Sequence, residues 1–252
     1  MEPRPERSVP PIPKGPLALF LDFDGTLVDF AATPDAVVPD PDLTGQLAAL
    51  NEVLHGAVAI VSGRPIAALD RLLCPLRLPT AGIHGLERRT AAGRFHPPPA
   101  HASWLAPLRA ELKQFVSERP GLLLEEKGVS LALHYRRAPH YESEARALVG
   151  ALLGKLAPDA TLIHGNAVVE VCPTGCDKAS ALEAFLNEPP FAGRCPVYLG
   201  DDRNDLVAMR AAEDHGGMAV GVGDRIEATW RLPAPSSVRA WLGALIAERS
   251  RP

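Results

Sequence analysis

Continuous apolar runs that end in acidic or small residues recur along the chain. They predict strands, because a strand covered on both faces of a parallel sheet has no polar side to alternate with. These runs are LALFLDFD (17–24), AVAIV (57–61), TAGIHG (80–85), PVYLGDD (196–202) and MAVGVG (218–223). Helical patterns lie between or after them at 42–54, 65–73, 177–186, 203–212 and 236–248. Strands that alternate with helices predict an α/β fold with a doubly wound, Rossmann-like core.

The middle of the chain follows a different order. A helical pattern at 103–120 precedes strand-like runs at 122–127 and 129–136, and a second helix near 141–154 precedes short strands at 161–165 and 166–171. This α-β-β-α-β-β order predicts a small antiparallel sheet backed by two helices, so an α/β cap domain is expected at 101–173. The core would then consist of 15–100 and 174–252, and the proline-rich segment 1–14 would be a flexible tail.

Composition excludes some classes of partner and compartment. The 252 residues carry a net charge of −4 and are 46% hydrophobic, which predicts a folded protein without a general attraction to nucleic acid. No apolar run is long enough for a membrane helix, and the N-terminus lacks the apolar region of a signal peptide. We therefore expect no membrane partner and a cytoplasmic location, where the four cysteines would stay reduced.

Acidic residues follow two of the predicted core strands. Asp22 and Asp24 end the first strand, and Asp201, Asp202 and Asp205 follow a later one. In open α/β sheets ligands bind at the carboxyl ends of the strands, where these acids would gather. Carboxylates brought together repel one another unless a cation joins them, and a small set of oxygen ligands is typical of Mg²⁺. The sequence therefore predicts a magnesium site at this edge.

Four short motifs in order resemble the haloacid dehalogenase (HAD) superfamily, which is dominated by phosphatases. They are DFDGTL (22–27), Ser62 in VSGR, Lys178, and GDDRND (200–205). Each falls at a predicted strand end or helix start. A single match would be weak, but four ordered matches are a specific signal. The resemblance implies a HAD-type core and phosphoryl transfer to an aspartate.

The same resemblance implies a role for each matching residue. Asp22 would attack phosphorus and form an aspartyl phosphate, while Asp24 would protonate the leaving alcohol and then activate water. Lys178 would neutralise developing negative charge. Phosphoryl oxygens would be held by Thr26, Ser62 and Gly63. Mg²⁺ would be bound by Asp22, the carbonyl of Asp24, and Asp201. Asp205 would order metal-bound water or Lys178, and the supporting residues around the site would include Asp202 and Asn204.

One predicted strand of the cap has two chemically different faces. Ser130, Ala132, His134 and Arg136 share one face, and the opposite face is apolar. The polar face could bind the hydroxyl groups of a sugar. It could equally be the solvated outer face of an antiparallel sheet, which is common. The alternation alone leaves both interpretations open.

Three longer strings are similar to those of trehalose-6-phosphate phosphatases. They are EEKGVSLALHYR (125–136), IHGLER (83–88) and VVEVCPTGCDK (168–178). The similarity implies that Glu125, Lys127 and Glu170 bind glucose hydroxyls, helped by Ser130, His134 and Arg136, with Arg64 and His84 near the sugar or the cap hinge. The chain departs from the family at four positions, which are Asn166, Ala179, Asn204 and Leu206.

These resemblances imply a Mg²⁺-dependent phosphatase that converts trehalose 6-phosphate to trehalose and phosphate. The implied partners are a sugar phosphate and, in the same pathway, trehalose-6-phosphate synthase. Two alternatives stay open from the sequence. One is a HAD phosphatase for another sugar phosphate, with the same core and different cap contacts. The other is a non-catalytic regulatory module that binds a sugar phosphate, although such a module has no need of a nucleophile, an acid and a metal ligand together.

Overall fold

A computed structural model describes residues 9–99 and 102–251. Within them the strands are β1 (Leu17–Leu21), β2 (Val58–Val61), β3 (Thr80–Gly82), β4 (Glu87–Arg89), β5 (Phe95–His96), β6 (Leu123–Glu126), β7 (Leu131–His134), β8 (Ala160–Gly165), β9 (Val168–Pro173), β10 (Cys195–Gly200), β11 (Met218–Val222) and β12 (Trp230–Leu232). The helices are α1 (Leu43–Val53), α2 (Ile66–Leu72), α3 (Leu105–Ser117), α4 (Glu142–Leu156), α5 (Lys178–Leu186), α6 (Leu206–Asp214) and α7 (Pro235–Arg249).

The larger sheet has the order β12-β11-β10-β1-β2-β3-β4-β5. All pairs from β12 to β3 are parallel, and every residue of the central strand β1 is buried. Apolar clusters cover both faces of this sheet, so its strands carry continuous apolar runs instead of alternating ones. Leu21 of β1 pairs with Leu199 of β10, and the acids that follow both strands therefore leave the sheet at the same edge.

The sheet extends beyond the parallel strands that the sequence predicts. Strands β4 and β5 add an antiparallel edge, and β12 adds a parallel edge on the opposite side. These strands have only two or three residues, and β4 reads Glu-Arg-Arg, so none shows the apolar run that predicts a buried strand. The predicted strand 80–85 is also too long, because it ends at Gly82 and a short 3-10 helix, Ile83–Gly85, follows.

The smaller sheet has the order β6-β7-β9-β8 and is antiparallel throughout. Helices α3 and α4 supply Leu108, Leu112 and Val149 to the cluster that covers one face, and β7 supplies Leu131 and Leu133 to the same cluster. This α-β-β-α-β-β order is the one that the sequence predicts. The opposite face of β7 carries Ala132 and His134, with Ser130 directly before the strand, and it points away from that cluster.

The chain divides into two compact units. One contains the described residues up to Ala31, Val37–His96 and those from Asp177 onward, and the other contains Ala32–Ala36 and the described part of Pro97–Cys176. We call them the core unit and the cap unit. None of the helices in the described ranges is both long and apolar enough to span a bilayer.

Part of the expected tail contacts the C-terminal helix α7. The indole Nε1 of Trp241 donates to the carbonyl oxygen of Pro10 at 2.9 Å, and Nη2 of Arg249 donates to that of Pro13 at 2.7 Å. Ile12 packs against the core. These contacts involve residues 10, 12 and 13 of the expected tail, whose flexibility stays a prediction, and residues 1–8 lie outside the described part of the chain.

Candidate active site

A buried cluster of carboxylates lies at the carboxyl ends of β1 and β10. Asp22 directly follows β1, and its backbone N–H donates to the carbonyl oxygen of Leu199 at 3.0 Å. Asp201 directly follows β10 and is buried like Asp22. One carboxylate oxygen from each of Asp22, Asp201 and Asp205 lies within 4.8 Å of the others. The adjacent parallel strands thus bring together acids that are about 180 residues apart in sequence.

Lys178 neutralises part of this cluster. Its Nζ lies 2.7 Å from Oδ1 of Asp22 and 2.7 Å from Oδ1 of Asp205, with the side chain almost fully buried. Burial by itself lowers the pKa of Lys178, but the two carboxylates outweigh it and raise the pKa above its ordinary value. The lysine is therefore a fixed cation at the first turn of α5. Asp177 caps this helix as predicted, since its side chain accepts from the N–H of Ser180 at 2.7 Å.

Asp205 has all its oxygens engaged by the protein. Oδ1 accepts from Lys178 and from the hydroxyl of Tyr198, both at 2.7 Å. Oδ2 accepts the backbone N–H groups of Asp201 and Asp202, both at 3.1 Å. Of the two expected roles, this geometry favours the positioning of Lys178 over the ordering of metal-bound water. Tyr198 is not among the predicted site residues, because a tyrosine inside an apolar strand has the pattern of a core residue.

Asp22 and Asp201 accept fewer donors from the described residues than Asp205 does, so they are the carboxylates best placed to bind a divalent cation as well. Burial, with the charge of Asp205, raises the pKa of Asp22 to about 7, and burial, with the charge of Asp22, raises that of Asp201 to about 9. These shifts indicate more negative charge than the local protein cations balance. A buried set of oxygen donors with excess negative charge fits Mg²⁺.

Gly25 permits the close approach of the two strand ends. Its φ is +84°, and a Cβ atom there would lie 2.3 Å from Oδ2 of Asp201. Any larger residue would push the Asp201 carboxylate away from β1. Thr26, one residue further on, donates from its hydroxyl to Oδ2 of Asp22 at 3.2 Å. The two oxygens of Asp22 are thus oriented by Lys178 and Thr26.

Asp24 and Arg64 form a two-pronged ion pair at the same end of the core sheet. Nε and Nη2 of Arg64 donate to the two carboxylate oxygens of Asp24 at 2.6 and 2.8 Å. The Arg64 side chain is 11% exposed and the Asp24 side chain is 25% exposed, so the Asp24 carboxylate keeps access to solvent. Arg64 was expected near the sugar or the cap hinge, and in the structure it binds Asp24, the expected general acid. A bidentate contact fixes the plane of the Asp24 carboxylate.

The loop that carries Ser62 and Gly63 is locked to the turn after β3. The N–H of His84 donates to the carbonyl oxygen of Ser62 at 3.0 Å, and the N–H of Ile83 donates to that of Arg64 at 3.0 Å. His84 is buried, and a Cβ on Gly63 would lie 2.6 Å from its Cε1 atom. Both Ile83 and His84 have positive φ, an unfavourable conformation that these backbone contacts hold.

A glutamate of the IHGLER string, for which the sequence predicts no role, fixes the same loop. Glu87 is almost fully buried, and its Oε1 accepts the N–H of Ile66, the first residue of α2, at 2.5 Å. The residue before α2 is Pro65, which provides no side-chain cap. Glu87 therefore caps α2 from β4 and holds the segment between Ser62 and the helix. The sequence feature that could have pointed to Glu87 is its place in the HGLER segment (84–88).

The cap unit contains a second polar network, which we call the cap cluster and define as Glu125, Lys127, Ser130, His134 and Glu170. Nζ of Lys127 lies 2.6 Å from Oε2 of Glu170, and the Ser130 hydroxyl donates to Oε1 at 2.6 Å. Nε2 of His134 lies 2.8 Å from Oε2 of Glu125. The bonds around Glu170 and the bond between His134 and Glu125 thus lie on or beside β6, β7 and β9, and the charges of Lys127 and Glu125 couple the two groups.

Strand register explains this arrangement. Ala132 of β7 pairs with Glu125 on one side and with Glu170 on the other, so two carboxylates flank a small side chain on one face. Ser130 and Ala132 are completely buried, which disfavours a solvated outer face. Burial raises the pKa of Glu125, but His134 and Lys127 outweigh it and hold the pKa below its ordinary value. Burial lowers the pKa of Lys127, but Glu170 and Glu125 outweigh it and raise the pKa.

The other expected site residues lie at the edges of these networks. Nη2 of Arg136 donates to the carbonyl oxygen of Asn166 at 2.7 Å and so supports the turn between β8 and β9. The side chain of Asp202 caps the 3-10 helix Arg203–Asp205 by accepting from the N–H of Arg203 at 2.8 Å. Asn204 belongs to that helix. The structure thus gives Asp202 a local role in building the turn that delivers Asp205.

Comparison with known proteins identifies relatives across most of the chain. The family model for trehalose-phosphatase matches residues 20–234. A probable trehalose-phosphate phosphatase of Sinorhizobium fredii is 40% identical over 231 residues, which cover 90% of this chain and 87% of the relative. The trehalose-6-phosphate phosphatase of Escherichia coli K12 is 40% identical over 227 residues, which cover 89% and 85% of the two chains.

A solved structure also resembles this fold. The C-terminal domain of the C. albicans trehalose-6-phosphate phosphatase superposes with a TM-score of 0.83 at 23% identity and covers 92% of this chain and 93% of that one. Such low identity establishes the fold alone. It confirms the predicted class, an α/β protein with a doubly wound HAD-type core and an inserted α/β segment.

Proposed function

The chain belongs to the trehalose-phosphatase family, and from this premise we propose that it hydrolyses trehalose 6-phosphate to trehalose and phosphate. The observation that carries the proposal is the environment of Asp22. Its carboxylate is buried at a strand end, and its two oxygens accept from Lys178 and Thr26. A carboxylate oriented in this way is suited to attack a phosphorus atom that is held at the mouth of the site.

In the first half-reaction an oxygen of Asp22 attacks phosphorus, and the bond from phosphorus to the sugar oxygen breaks. Asp24 donates a proton to that oxygen as it leaves, and trehalose is released. Arg64 holds the Asp24 carboxylate in a fixed plane for this transfer. Lys178 balances the negative charge that develops on the phosphoryl oxygens and on Asp22.

In the second half-reaction Asp24 accepts a proton from water, which attacks the phosphorus of the phosphorylated Asp22. The P–O bond to Asp22 breaks, and inorganic phosphate leaves. Ser62, Gly63 and Thr26 supply hydroxyl and backbone donors for the phosphoryl oxygens. The contacts from His84 and Glu87 keep the Ser62 loop in one conformation, and this order reduces the entropy lost on binding.

We propose that Mg²⁺ is bound by Asp22, the backbone carbonyl of Asp24, and Asp201. When bound, the ion draws electron density from the phosphoryl oxygens and reduces the repulsion between phosphate and the carboxylates. The buried oxygen donors and their raised pKa values support this assignment. Asp205 contributes indirectly, because it fixes Lys178 and the backbone of Asp201.

The cap cluster is proposed to recognise the sugar. Glu125, Lys127 and Glu170 offer charged acceptors and donors that suit a ring of hydroxyl groups. The shared partners within the cluster hold these side chains in place before a sugar binds, which lowers the entropy cost of binding. We therefore propose that the core unit performs the chemistry and that the cap unit selects the leaving group.

Pathway and location complete the proposal. The substrate has to be supplied by a trehalose-6-phosphate synthase, which is the proposed pathway partner. A cytoplasmic site of action agrees with the absence of a disulfide among the four cysteines, which all lie in the described part of the chain.

The test is phosphate release from a panel of sugar phosphates, measured with Mg²⁺ and with EDTA. Preference for trehalose 6-phosphate and loss of release in EDTA are expected. Asp22→Asn should abolish release while circular dichroism shows an intact fold, and the exposed neighbour Asp29→Asn is the matched control that keeps activity. Metal-dependent release from all sugars alike would contradict the proposed selectivity of the cap. Release by Asp22→Asn would remove Asp22 as the nucleophile.

A further inference from the structure

An arginine outside the residues assigned above contacts the proposed metal ligand. Nη1 of Arg225 lies 2.5 Å from Oδ2 of Asp201. The Arg225 side chain is 41% exposed, whereas that of Asp201 is 2% exposed. The guanidinium carbon lies 4.5 Å from the ring centre of Phe30, which follows the DFDGTL segment. Arg225 therefore reaches from solvent to a buried carboxylate and stacks on an aromatic ring along the way.

The loop that carries Arg225 is built rigidly. Arg231 of β12 is 7% exposed, and its guanidinium donates to the carbonyl oxygens of Gly223 and Ile226 on either side of Arg225. The side chain of Ile226 is buried in the apolar cluster on one face of the sheet. A backbone pinned before and after Arg225 limits where its side chain can go. The contact with Asp201 is thus part of an organised loop and differs from a chance pairing of surface charges.

The other charges of the site show why the contact between Arg225 and Asp201 matters. Lys178, the buried cation of the site, is already bonded to Asp22 and Asp205. Asp201 is the remaining member of the acidic cluster, and Arg225 is the cation that contacts it. A buried carboxylate without a cation is costly, so this pairing stabilises the cluster in the absence of metal.

We propose that Arg225 is the resident counter-cation of Asp201, which stabilises the metal-free site and competes with the divalent cation for this carboxylate. The inference rests on the proposed metal site. A positive charge within hydrogen-bond distance of a metal ligand lowers the electrostatic attraction of that ligand for Mg²⁺. Arg225 is therefore a positioning residue that sets metal affinity, and it takes no part in the transfer of the phosphoryl group.

Arg225→Met tests this role, because it removes the charge and keeps an unbranched side chain that can still pack on Phe30. We expect the Kd for Mg²⁺, measured by calorimetry on protein stripped of metal, to fall about three- to tenfold. The melting temperature of the metal-free variant should drop by about 2–4 °C. Stabilisation by added Mg²⁺ should consequently be larger than in the wild type.

Two further variants separate charge from position. Arg225→Lys keeps the charge and should stay close to the wild type in Mg²⁺ affinity. Arg77→Met removes an arginine that is 66% exposed and paired with Asp70, so it controls for general loss of positive charge and should leave the Kd unchanged. An equal gain in affinity in Arg77→Met would overturn the proposal, since the effect would then reflect net charge.

The possible results distinguish a failure of the proposed role of Arg225 from a failure of the proposed metal site. An unchanged Mg²⁺ affinity in Arg225→Met refutes the competition. A weaker affinity refutes it too, and shows instead that Arg225 helps to hold Asp201 for the metal. Absence of Mg²⁺ binding and of Mg²⁺-induced stabilisation in the wild type refutes the proposed metal site itself. Neither measurement depends on activity, so a loss of turnover in a variant cannot be mistaken for either result.

Discussion

Replacing Lys127 by methionine should destabilise the cap unit far more than an ordinary salt bridge would suggest. The ammonium lies 2.6 Å from Oε2 of Glu170, and the two side chains are 8% and 4% exposed. Lys127→Met leaves the Glu170 carboxylate buried without this cation, while the Ser130 hydroxyl still donates to it. Removal of one partner from a buried pair costs about 3–5 kcal/mol, and we expect the lower end because the Ser130 hydrogen bond remains.

The same unit contains a matched control. Nζ of Lys113 lies 2.8 Å from Oε1 of Glu126, but these side chains are 60% and 36% exposed. Lys113→Met therefore removes the same chemical group at a nearly equal distance, and it should cost at most about 1 kcal/mol because water and salt screen the pair. The contrast between the two variants isolates the effect of burial.

Urea unfolding, followed by circular dichroism, measures both free energies. A double-mutant cycle then tests the coupling. Glu170→Gln removes the charge and keeps the shape, and Lys127→Met combined with Glu170→Gln should be less destabilised than the sum of the single variants by about 1–3 kcal/mol. The reasoning is refuted if Lys127→Met costs no more than Lys113→Met, or if the two changes at Lys127 and Glu170 are additive.

Three further predictions concern the hydrogen bonds, the pH response and the packing of the sites. Tyr198→Phe leaves Asp205 without one of its donors, so urea unfolding should show a loss of about 1–2 kcal/mol and kinetics should show a lower kcat with little change in KM. Because the pKa of Glu125 lies below its ordinary 4.5, its stabilisation is present above that pH and is lost as the pH falls further. The stability gap between wild type and Glu125→Gln should therefore be smaller at about pH 3 than at pH 7. Gly25→Ala would place a Cβ 2.3 Å from Oδ2 of Asp201 at a φ of +84°, and a thermal-shift assay should show that Mg²⁺ no longer stabilises the protein. Normal Mg²⁺ stabilisation in Gly25→Ala would contradict the close approach of the strand ends.

The parallel strands could be predicted because their pattern has a single physical cause. β1 and β10 are covered on both faces, so each is a continuous apolar run, and the acids that follow mark where each strand leaves the sheet. Their adjacency is then enough to bring Asp22 and Asp201 together. The edge strands β4 and β5 could not be predicted in this way, because Glu-Arg-Arg and Phe-His carry no burial pattern.

Residues that act through hydrogen bonds were harder to foresee than those that carry a motif. Glu87 caps α2 across 21 positions of sequence, and Tyr198 donates to Asp205 from inside an apolar strand. Neither contact follows from local spacing, since each depends on which strands become neighbours. The pairing of Arg64 with Asp24 is of the same kind, because a strand end and a loop 40 residues away meet only in the folded core.

Both units use the same device, a lysine held by acidic residues, and composition already indicated its importance. The chain has only five lysines among its 26 basic residues. Lys14, Lys113 and Lys155 are exposed, whereas the side chains of Lys127 and Lys178 are buried. An ammonium group is compact and can contact two carboxylates at 2.7 Å, as Lys178 does, while a planar guanidinium needs a wider, flatter space. In a chain that otherwise favours arginine, a lysine therefore occurs where a small, fully enclosed cation is required. At Asp201 the cation is Arg225, whose side chain is 41% exposed.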